Sequence, residues 1–162
     1  MTKTKPAARA ADDLDPTMVA VHNRLFFRLF QIGNILQRQS AKQLGISTVQ
    51  WAVLGALSRP RSRDGMTVTE LAEYLVVSRQ NLDGVLTRLE REKHVARVAD
   101  RVDKRSRRVR MTEVGWRFWN GLQPQIAEFY RQALSDARFD DKVASVHFLN
   151  RLQTTLRAVE LD

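Results

Sequence analysis

The sequence predicts a mainly α-helical fold with one small β-hairpin. Apolar residues recur at steps of three and four through most of the 162 residues, which is typical of amphipathic helices. One stretch, "RVADRVDKRSRRVR" at 97–110, departs from this pattern because its flanks alternate valine with charged residues. Alternation of this kind is typical of half-buried strands, whose successive side chains point to opposite faces. The polar middle of the stretch predicts a loop that joins two strands.

Positive charge is concentrated in this hairpin. It carries seven Lys or Arg residues and two Asp, a local charge of +5, within a chain whose net charge is +9. Such an excess indicates a polyanionic partner, either nucleic acid or an anionic membrane surface. No apolar run approaches the roughly 20 residues of a membrane helix, and the N-terminus lacks the apolar segment of a secretory signal. We therefore expect a cytoplasmic protein, and the absence of Cys excludes disulfides and thiol chemistry.

The first part of the chain predicts a tail followed by two helices. Residues 1–14 are expected to be a disordered tail because they are mostly small and polar. A helix from Pro16 to about Leu44 has an apolar arc so broad that it must be covered from more than one side. Gly45 is expected to end this helix, and Ser47 to act as the N-cap of the next one, "TVQWAVLGAL".

The middle of the chain predicts a helix-turn-helix. Thr67 and Glu70 have the spacing of a capping box at the start of "TVTELAEYL". After a short turn, Ser78 opens a second helix with one apolar face and an exposed polar N-terminal half. In a helix-turn-helix the second helix enters the major groove of DNA. The basic hairpin that follows is then expected to be a wing, which lies along the DNA backbone or reaches into the minor groove.

The last part of the chain predicts two long helices. Thr112 is expected to cap a helix that extends to about Leu134, and Pro124 is expected to kink or divide it. A final helix is predicted at about residues 140–160.

The domain organisation follows from the amount of apolar surface on these helices. Residues 15–162 are expected to form a single domain, in which 47–112 is the DNA-binding lobe. The first and last helices carry more apolar surface than one small domain covers, so we expect 15–45 and 113–160 to pair between two protomers.

A resemblance to the multiple-antibiotic-resistance regulator (MarR) family rests on two stretches, "TVTELAEYLVVSRQNLDGVLTRLEREKHVAR" and "DKRSRRVRMTEVG". The family's wing carries D-x-R and then Leu/Met-Thr, which here are Asp103, Arg105, Met111 and Thr112. The resemblance extends over nearly the whole chain, since "TVQWAVLGAL" is similar to the family's second helix. One departure is His94, which stands where the family usually has a glycine after the recognition helix. The resemblance implies a homodimeric transcription regulator, commonly a repressor, that binds a pseudo-palindromic operator and releases it on binding a small aromatic or phenolic acid.

Candidate DNA contacts lie at the start of the second helix and on the wing. Arg suits the edge of guanine, Asn and Gln suit adenine, and the N–H groups of a helix N-terminus favour phosphate. The residues predicted to contact DNA are Thr67, Ser78, Arg79, Gln80, Asn81, Asp83, Arg88, Arg101, Asp103, Lys104, Arg105 and Arg107. Asp103 has the wrong charge for phosphate, so we expect it to hold Arg105 or a backbone N–H and to fix the shape of the wing tip.

Candidate effector contacts come from the first two helices. In folds of this family the effector pocket lies between the terminal helices and the winged part, so His22, Arg24, Arg28 and Trp51 are candidates. An arginine in an apolar cleft clamps a carboxylate, and an aromatic wall suits a planar ring. The alternative is that Trp51 belongs to the core and that the two arginines face solvent.

Other function classes find little support in the sequence. The motifs of phosphate-binding loops, zinc proteases and hydrolases are absent, so no enzyme activity is expected. The three histidines are widely separated, and we expect neither a metal nor a cofactor. Trp116 and Trp119 fall on a helical stripe, which favours a core position over stacking on single-stranded nucleic acid. Two alternatives stay open, a sequence-independent DNA-binding protein of the nucleoid type and a winged module used for protein contacts.

Overall fold

The fold is mainly helical with a small antiparallel sheet, as predicted. The computed structural model describes residues 15–100 and 107–161. The helices are α1 (Pro16–Leu44), α2 (Thr48–Leu57), α3 (Val68–Leu75), α4 (Arg79–Arg91), α5 (Glu113–Ala133) and α6 (Phe139–Leu156). The strands are β1 (Met66–Thr67), β2 (Val95–Ala99) and β3 (Arg107–Met111), with β3 in the middle and antiparallel to both neighbours. The predicted tail at 1–14 and the wing tip at 101–106 lie outside the described residues. Among the described helices, none is long and apolar enough to cross a membrane.

The junction between α1 and α2 has the predicted start and stop signals. Gly45 adopts a left-handed conformation with φ of 70°, which costs glycine little and ends α1. The Ser47 hydroxyl accepts a hydrogen bond from the backbone N–H of Gln50 at 3.1 Å. The Gln50 side chain in turn accepts one from the backbone N–H of Ser47 at 3.0 Å. This reciprocal pair is a capping box, of which the sequence analysis had identified only the serine.

The helix-turn-helix is formed by α3 and α4. Thr67 and Glu70 form the predicted capping box at the start of α3, with bonds of 3.1 and 2.7 Å. The turn after α3 passes through Val76, whose φ of 55° is left-handed although valine is β-branched. The Ser78 hydroxyl then accepts from the N–H of Asn81 at 3.2 Å and begins α4 as predicted.

The core beneath the helix-turn-helix consists of leucines, valines and two alanines. The predicted apolar face of α4 is confirmed, since Leu82, Leu86 and Leu89 are completely buried. Leu71 of α3 and Val109 of β3 are also completely buried in the same cluster. The sheet and the two helices therefore share one core, which fixes the root of the wing against the recognition helix.

Three features differ from the expectations. β1 was not predicted, because a two-residue strand is too short to show alternation. Pro124 does not divide α5, which runs unbroken through it between the buried Leu122 and Ile126; a kink at Pro124, the other expectation, stays a prediction. The last helix ends at Leu156, four residues earlier than predicted.

The end of the recognition helix explains how the chain does without a glycine at position 94. The left-handed residue of this turn is Lys93, with φ of 61°, and not His94. The backbone N–H of His94 donates to the carbonyl of Leu89 at 2.8 Å and closes the helix end.

The described residues divide into two compact units. Residues 15–31 and 131–161 form the first, called here the terminal unit, and 32–100 with 107–130 form the second, the winged unit. The terminal unit leaves large apolar side chains bare, among them Phe27, Phe30, Phe139 and Val146, each more than half exposed. The assignment of the terminal helices to dimerisation stays a prediction.

Candidate nucleic-acid interface

The start of the recognition helix α4 presents polar side chains to solvent. Leu82, Leu86 and Leu89 fix the buried face of the helix. The predicted DNA contacts Ser78, Arg79, Gln80, Asn81, Asp83 and Arg88 are all exposed. Arg79, Gln80 and Asn81 occupy its first turn, where free backbone N–H groups add a site for phosphate.

Two of the predicted contacts are also engaged in ion pairs. The Arg97 guanidinium on β2 lies 2.5 Å from the Asp83 carboxylate and 3.7 Å from that of Glu90. These pairs connect the first strand of the wing to the recognition helix across 14 residues of sequence. Arg88 pairs with Glu92 at 3.0 Å within the helix, at a position that is more than half exposed. An exposed pair of this kind contributes little to stability.

Arg108 anchors β3, the other strand of the wing. Its guanidinium donates two hydrogen bonds to the Gly65 carbonyl, at 2.9 and 3.1 Å, and one to the Asp100 carboxylate at 2.8 Å. A weaker contact of 3.3 Å reaches Glu70 at the start of α3. The hydrogen bond to Asp100 raises the pKa of Arg108 above its ordinary value. A single side chain thus joins β3 to the end of β2, to the loop before β1 and to α3.

The base of the wing, where β3 ends and α5 begins, is fixed by Thr112 and Gly115. The Thr112 hydroxyl caps α5 as predicted, accepting from the N–H of Gly115 at 2.9 Å. The same hydroxyl donates to the carbonyl of Lys93 at 2.5 Å, and the Thr112 N–H donates to that of His94 at 3.0 Å. A Cβ on Gly115 would lie only 1.9 Å from the His94 carbonyl oxygen. Glycine is therefore required where α5 approaches the turn after the recognition helix.

The remaining predicted contacts are distributed as follows. Thr67 is half-buried, and its hydroxyl is used in the capping box of α3. Arg107 is exposed at the first position of β3. Arg101, Asp103, Lys104 and Arg105 lie outside the described residues. The roles of all these residues toward DNA stay predictions.

Sequence analysis missed Arg97 and Arg108 as positioning residues. A signal existed for Arg97, because its position has the same parity along β2 as the buried Val95. An arginine on the buried face of a strand requires carboxylate partners, and the nearest upstream helix carries Asp83 and Glu90. Arg108 had no such signal, because its partners come from three separate segments.

The predicted effector contacts lie in both units. His22, Arg24 and Arg28 are exposed in the terminal unit, where Arg28 donates to the Gln31 side chain at 2.9 Å. Trp51 is half-buried in the winged unit. Its ring is 5.6 Å from Phe129 and 5.7 Å from Tyr130, between ring centroids.

Partial burial raises the pKa of Tyr130 above its ordinary value. Within residues 15–100 and 107–161, no group of three or more histidine or acidic side chains is placed to hold a metal ion.

The helix pair, the adjoining basic hairpin and their shared core define a winged helix-turn-helix protein. The model of the MarR family matches residues 44–106. The chain is 43% identical over 155 residues to the transcriptional activatory protein BadR of Rhodopseudomonas palustris, covering 93% of this chain and 89% of BadR. The chain belongs to the MarR family of DNA-binding transcription regulators.

Further similarities are more distant. The homoprotocatechuate degradative operon repressor of Escherichia coli is 33% identical over 95 residues, which are 59% of this chain and 62% of the repressor. Sco3205 of Streptomyces coelicolor, solved in complex with DNA, matches with a TM-score of 0.73 at 25% identity, covering 87% of this chain and 88% of that one. BpsR of Bordetella bronchiseptica, whose DNA binding is regulated by 6-hydroxynicotinic acid, matches with a TM-score of 0.68 at 21% identity, covering 81% of this chain and 91% of that one.

Proposed function

We propose that the protein is a cytoplasmic homodimer that binds a pseudo-palindromic operator and releases it on binding a small aromatic or phenolic acid. The observation that carries the DNA part is the pairing of Arg97 with Asp83 and Glu90. These contacts hold the wing strand against the recognition helix, so that both elements address one duplex together. Each protomer contributes one wing and one recognition helix, and the two sets then contact half-sites about one helical turn apart.

Base reading is assigned to the first turn of α4. Arg79 is suited to guanine, and Gln80 and Asn81 to adenine, because each presents the matching donors or acceptors. Asp83 is assigned a positioning role through Arg97 in addition to its proposed DNA contact, since its negative charge does not suit phosphate. The wing arginines are assigned to the backbone or the minor groove.

The effector part rests on the chemistry of the candidate pocket residues and on two relatives. His22, Arg24 and Arg28 supply positive or polar groups, and Trp51 supplies an aromatic surface within an apolar cluster. DNA binding by the structurally similar BpsR is regulated by 6-hydroxynicotinic acid, and the Escherichia coli relative is the repressor of a homoprotocatechuate degradative operon. A planar acid is therefore the class of effector that we propose for this chain.

A regulator that an effector releases from DNA fits best as a repressor, which acts by occupying the promoter. Activation is the second candidate, because BadR is an activatory protein and is similar over most of this chain. Transcription from the promoter next to the gene, measured in vitro with and without the protein, separates the two. Lower transcript levels with the protein support repression, and higher levels support activation.

The DNA-binding proposal is tested by fluorescence anisotropy on duplexes that differ at single positions. Replacing Arg79 or Asn81 by Ala is expected to change base preference by about 1 to 3 kcal/mol at one position per half-site. Arg105→Ala is expected to weaken binding to all sequences and to reduce the salt dependence by about one unit of slope. Arg151→Ala, which removes one exposed charge from α6, serves as the matched control and is expected to leave binding unchanged.

Three results contradict this assignment. Equal loss of affinity for all sequences in the Arg79 and Asn81 variants indicates that these side chains contact only phosphate. Equal affinity of the unaltered protein for operator and random duplex supports the nucleoid-type alternative. Binding of a protein partner without duplex supports the interaction module.

A further inference from the structure

A cleft beside the root of the wing carries two arginines without a role so far. Its volume is about 520 Å³, and it is lined by Arg63, Asp64, Arg110, Met111 and Trp116. A second cleft of about 400 Å³ shares Arg63 and Trp116 with the first. All of these residues belong to the winged unit, and the volumes are ample for a ligand of one aromatic ring.

Among the described residues, the two arginines have no acidic partner of their own. Within the part of the chain that the structure describes, neither Arg63 nor Arg110 forms an ion pair or a side-chain hydrogen bond. Both side chains are exposed, whereas Arg108, next but one to Arg110 on β3, is fully engaged. Two guanidinium groups are therefore available to an anion that enters the cleft.

Backbone geometry positions one of these arginines. Gly65 has φ of 85°, and a Cβ at this residue would lie 2.5 Å from Cγ of Arg110. The Arg110 stem thus lies directly on the Gly65 backbone, where a larger residue at position 65 would displace it. The carbonyl of Gly65 accepts the two hydrogen bonds from Arg108, so Gly65 contacts both the Arg110 stem and the anchor of the wing.

The other lining residues select the class of anion. The Trp116 indole and the Met111 thioether supply apolar surface suited to a planar ring. Asp64 adds one negative charge, which disfavours the DNA backbone or any polyphosphate. A carboxylate oxygen also accepts hydrogen bonds, so Asp64 suits a ligand with a hydroxyl donor.

We propose that this cleft binds a hydroxylated aromatic monocarboxylate, with Arg63 and Arg110 on the carboxylate, Trp116 against the ring and Asp64 on the hydroxyl. The site is separate from the candidate pocket that includes His22, Arg24, Arg28 and Trp51. An influence of this ligand on operator affinity rests on the proposed function, whereas its binding does not.

The test uses 4-hydroxybenzoate and the full chain without DNA. The protein is labelled with ¹³C in its methionine methyl groups, and the Met111 signal is assigned by Met111→Leu. The ligand is expected to shift this signal in a saturable manner, and Arg63→Ala or Arg110→Ala to weaken binding at least about tenfold. Arg61→Ala is the control, since Arg61 does not line the cleft, and this variant is expected to bind as the unaltered protein does. Arg28→Ala is measured beside it, because Arg28 belongs to the other candidate pocket.

Two further probes separate the parts of the proposal. The neutral 4-hydroxybenzamide is expected not to bind, because it lacks the charge for the arginines. Inorganic phosphate is expected to bind more weakly than 4-hydroxybenzoate, because it has no ring for Trp116. The proposal is overturned by the absence of a Met111 shift at millimolar ligand, by equal binding of the amide or of phosphate, or by dependence on Arg28 in place of Arg63 and Arg110.

Discussion

The two units of the chain treat their apolar residues in opposite ways. In the winged unit, Leu71, Leu82 and Leu86 are completely buried by neighbours from the same chain. In the terminal unit, Phe30 is 66% exposed and Phe139 is 77% exposed. Large exposed apolar side chains are typical of a surface that contacts another chain, because soluble monomers rarely expose large apolar patches. The buried core thus lies in the winged unit, and for the exposed apolar side chains of the terminal unit we propose a second copy of the chain as the partner.

The largest expected effect comes from placing a charge on the terminal unit. Phe30→Asp is expected to weaken dimerisation by about 3 kcal/mol or more, because an unpaired carboxylate in an apolar interface is costly to desolvate. Analytical ultracentrifugation over a range of concentrations measures this change. Phe30→Leu is the matched control and is expected to remain dimeric.

This variant also separates the two units. The far-UV circular dichroism of the winged helices is expected to be retained, because Leu82 and its neighbours are buried within the chain. A Phe30→Asp protein that stays dimeric at the same concentrations would contradict the role proposed for the terminal helices.

The second effect is confined to the winged unit. In Gly115→Ala the added Cβ would meet the His94 carbonyl oxygen at 1.9 Å, so the backbone must shift. We expect a loss of about 2 to 3 kcal/mol in the free energy of unfolding, measured with urea. Gly121→Ala in the same helix is the control: its Cβ meets nothing within 4 Å, and a gain of up to about 1 kcal/mol is expected from helix propensity. Equal stability of the two variants would show that the approach of α5 to His94 is not tight.

The third effect tests the anchor of the wing. Arg108→Met removes the hydrogen bonds to Gly65 and leaves the Asp100 carboxylate without its guanidinium. Asp100 is only 9% exposed, so we expect a loss of about 1 to 2 kcal/mol in the free energy of unfolding. Arg110→Met on the same strand is the matched control, since this arginine is exposed and makes no ion pair among the described residues. If both variants dimerise with unchanged affinity, the effect of Arg108→Met is on folding stability. It is then distinct from the loss of dimerisation expected for Phe30→Asp.

Local chemistry explains which parts of the fold were predictable. Gly45, Ser47, Thr67, Ser78 and Thr112 each act through neighbours within three or four residues, so their roles could be predicted from spacing alone. The apolar face of α4 was equally predictable, because its period is that of a single helix.

Long-range contacts explain what was missed. The partners of Arg108 lie 8, 38 and 43 residues away, and no periodicity reports such a set. β1 is recognisable only from its pairing with β3. The exposure of the polar start of α4 could be predicted because it depends on one helix. The supporting arginines Arg97 and Arg108 could not be predicted, because their positions depend on tertiary contacts.

The smallest expected effect concerns the turn between α3 and α4. Val76 is left-handed with φ of 55°, a conformation that costs an L-residue roughly 1 to 2 kcal/mol. Val76→Gly removes this cost but adds entropy to the unfolded chain, of about 0.4 to 1 kcal/mol. The side chain is more than half exposed, so little packing is lost. We therefore expect the winged unit to gain up to about 1 kcal/mol in the free energy of unfolding, measured with urea.

Val77→Gly is the control, because it deletes a side chain that packs on the core and is expected to destabilise. If Val76→Gly destabilised as much as Val77→Gly did, the valine at the turn would contribute more through packing than it costs in strain. The packing of the winged unit would then include the exposed corner of the helix-turn-helix.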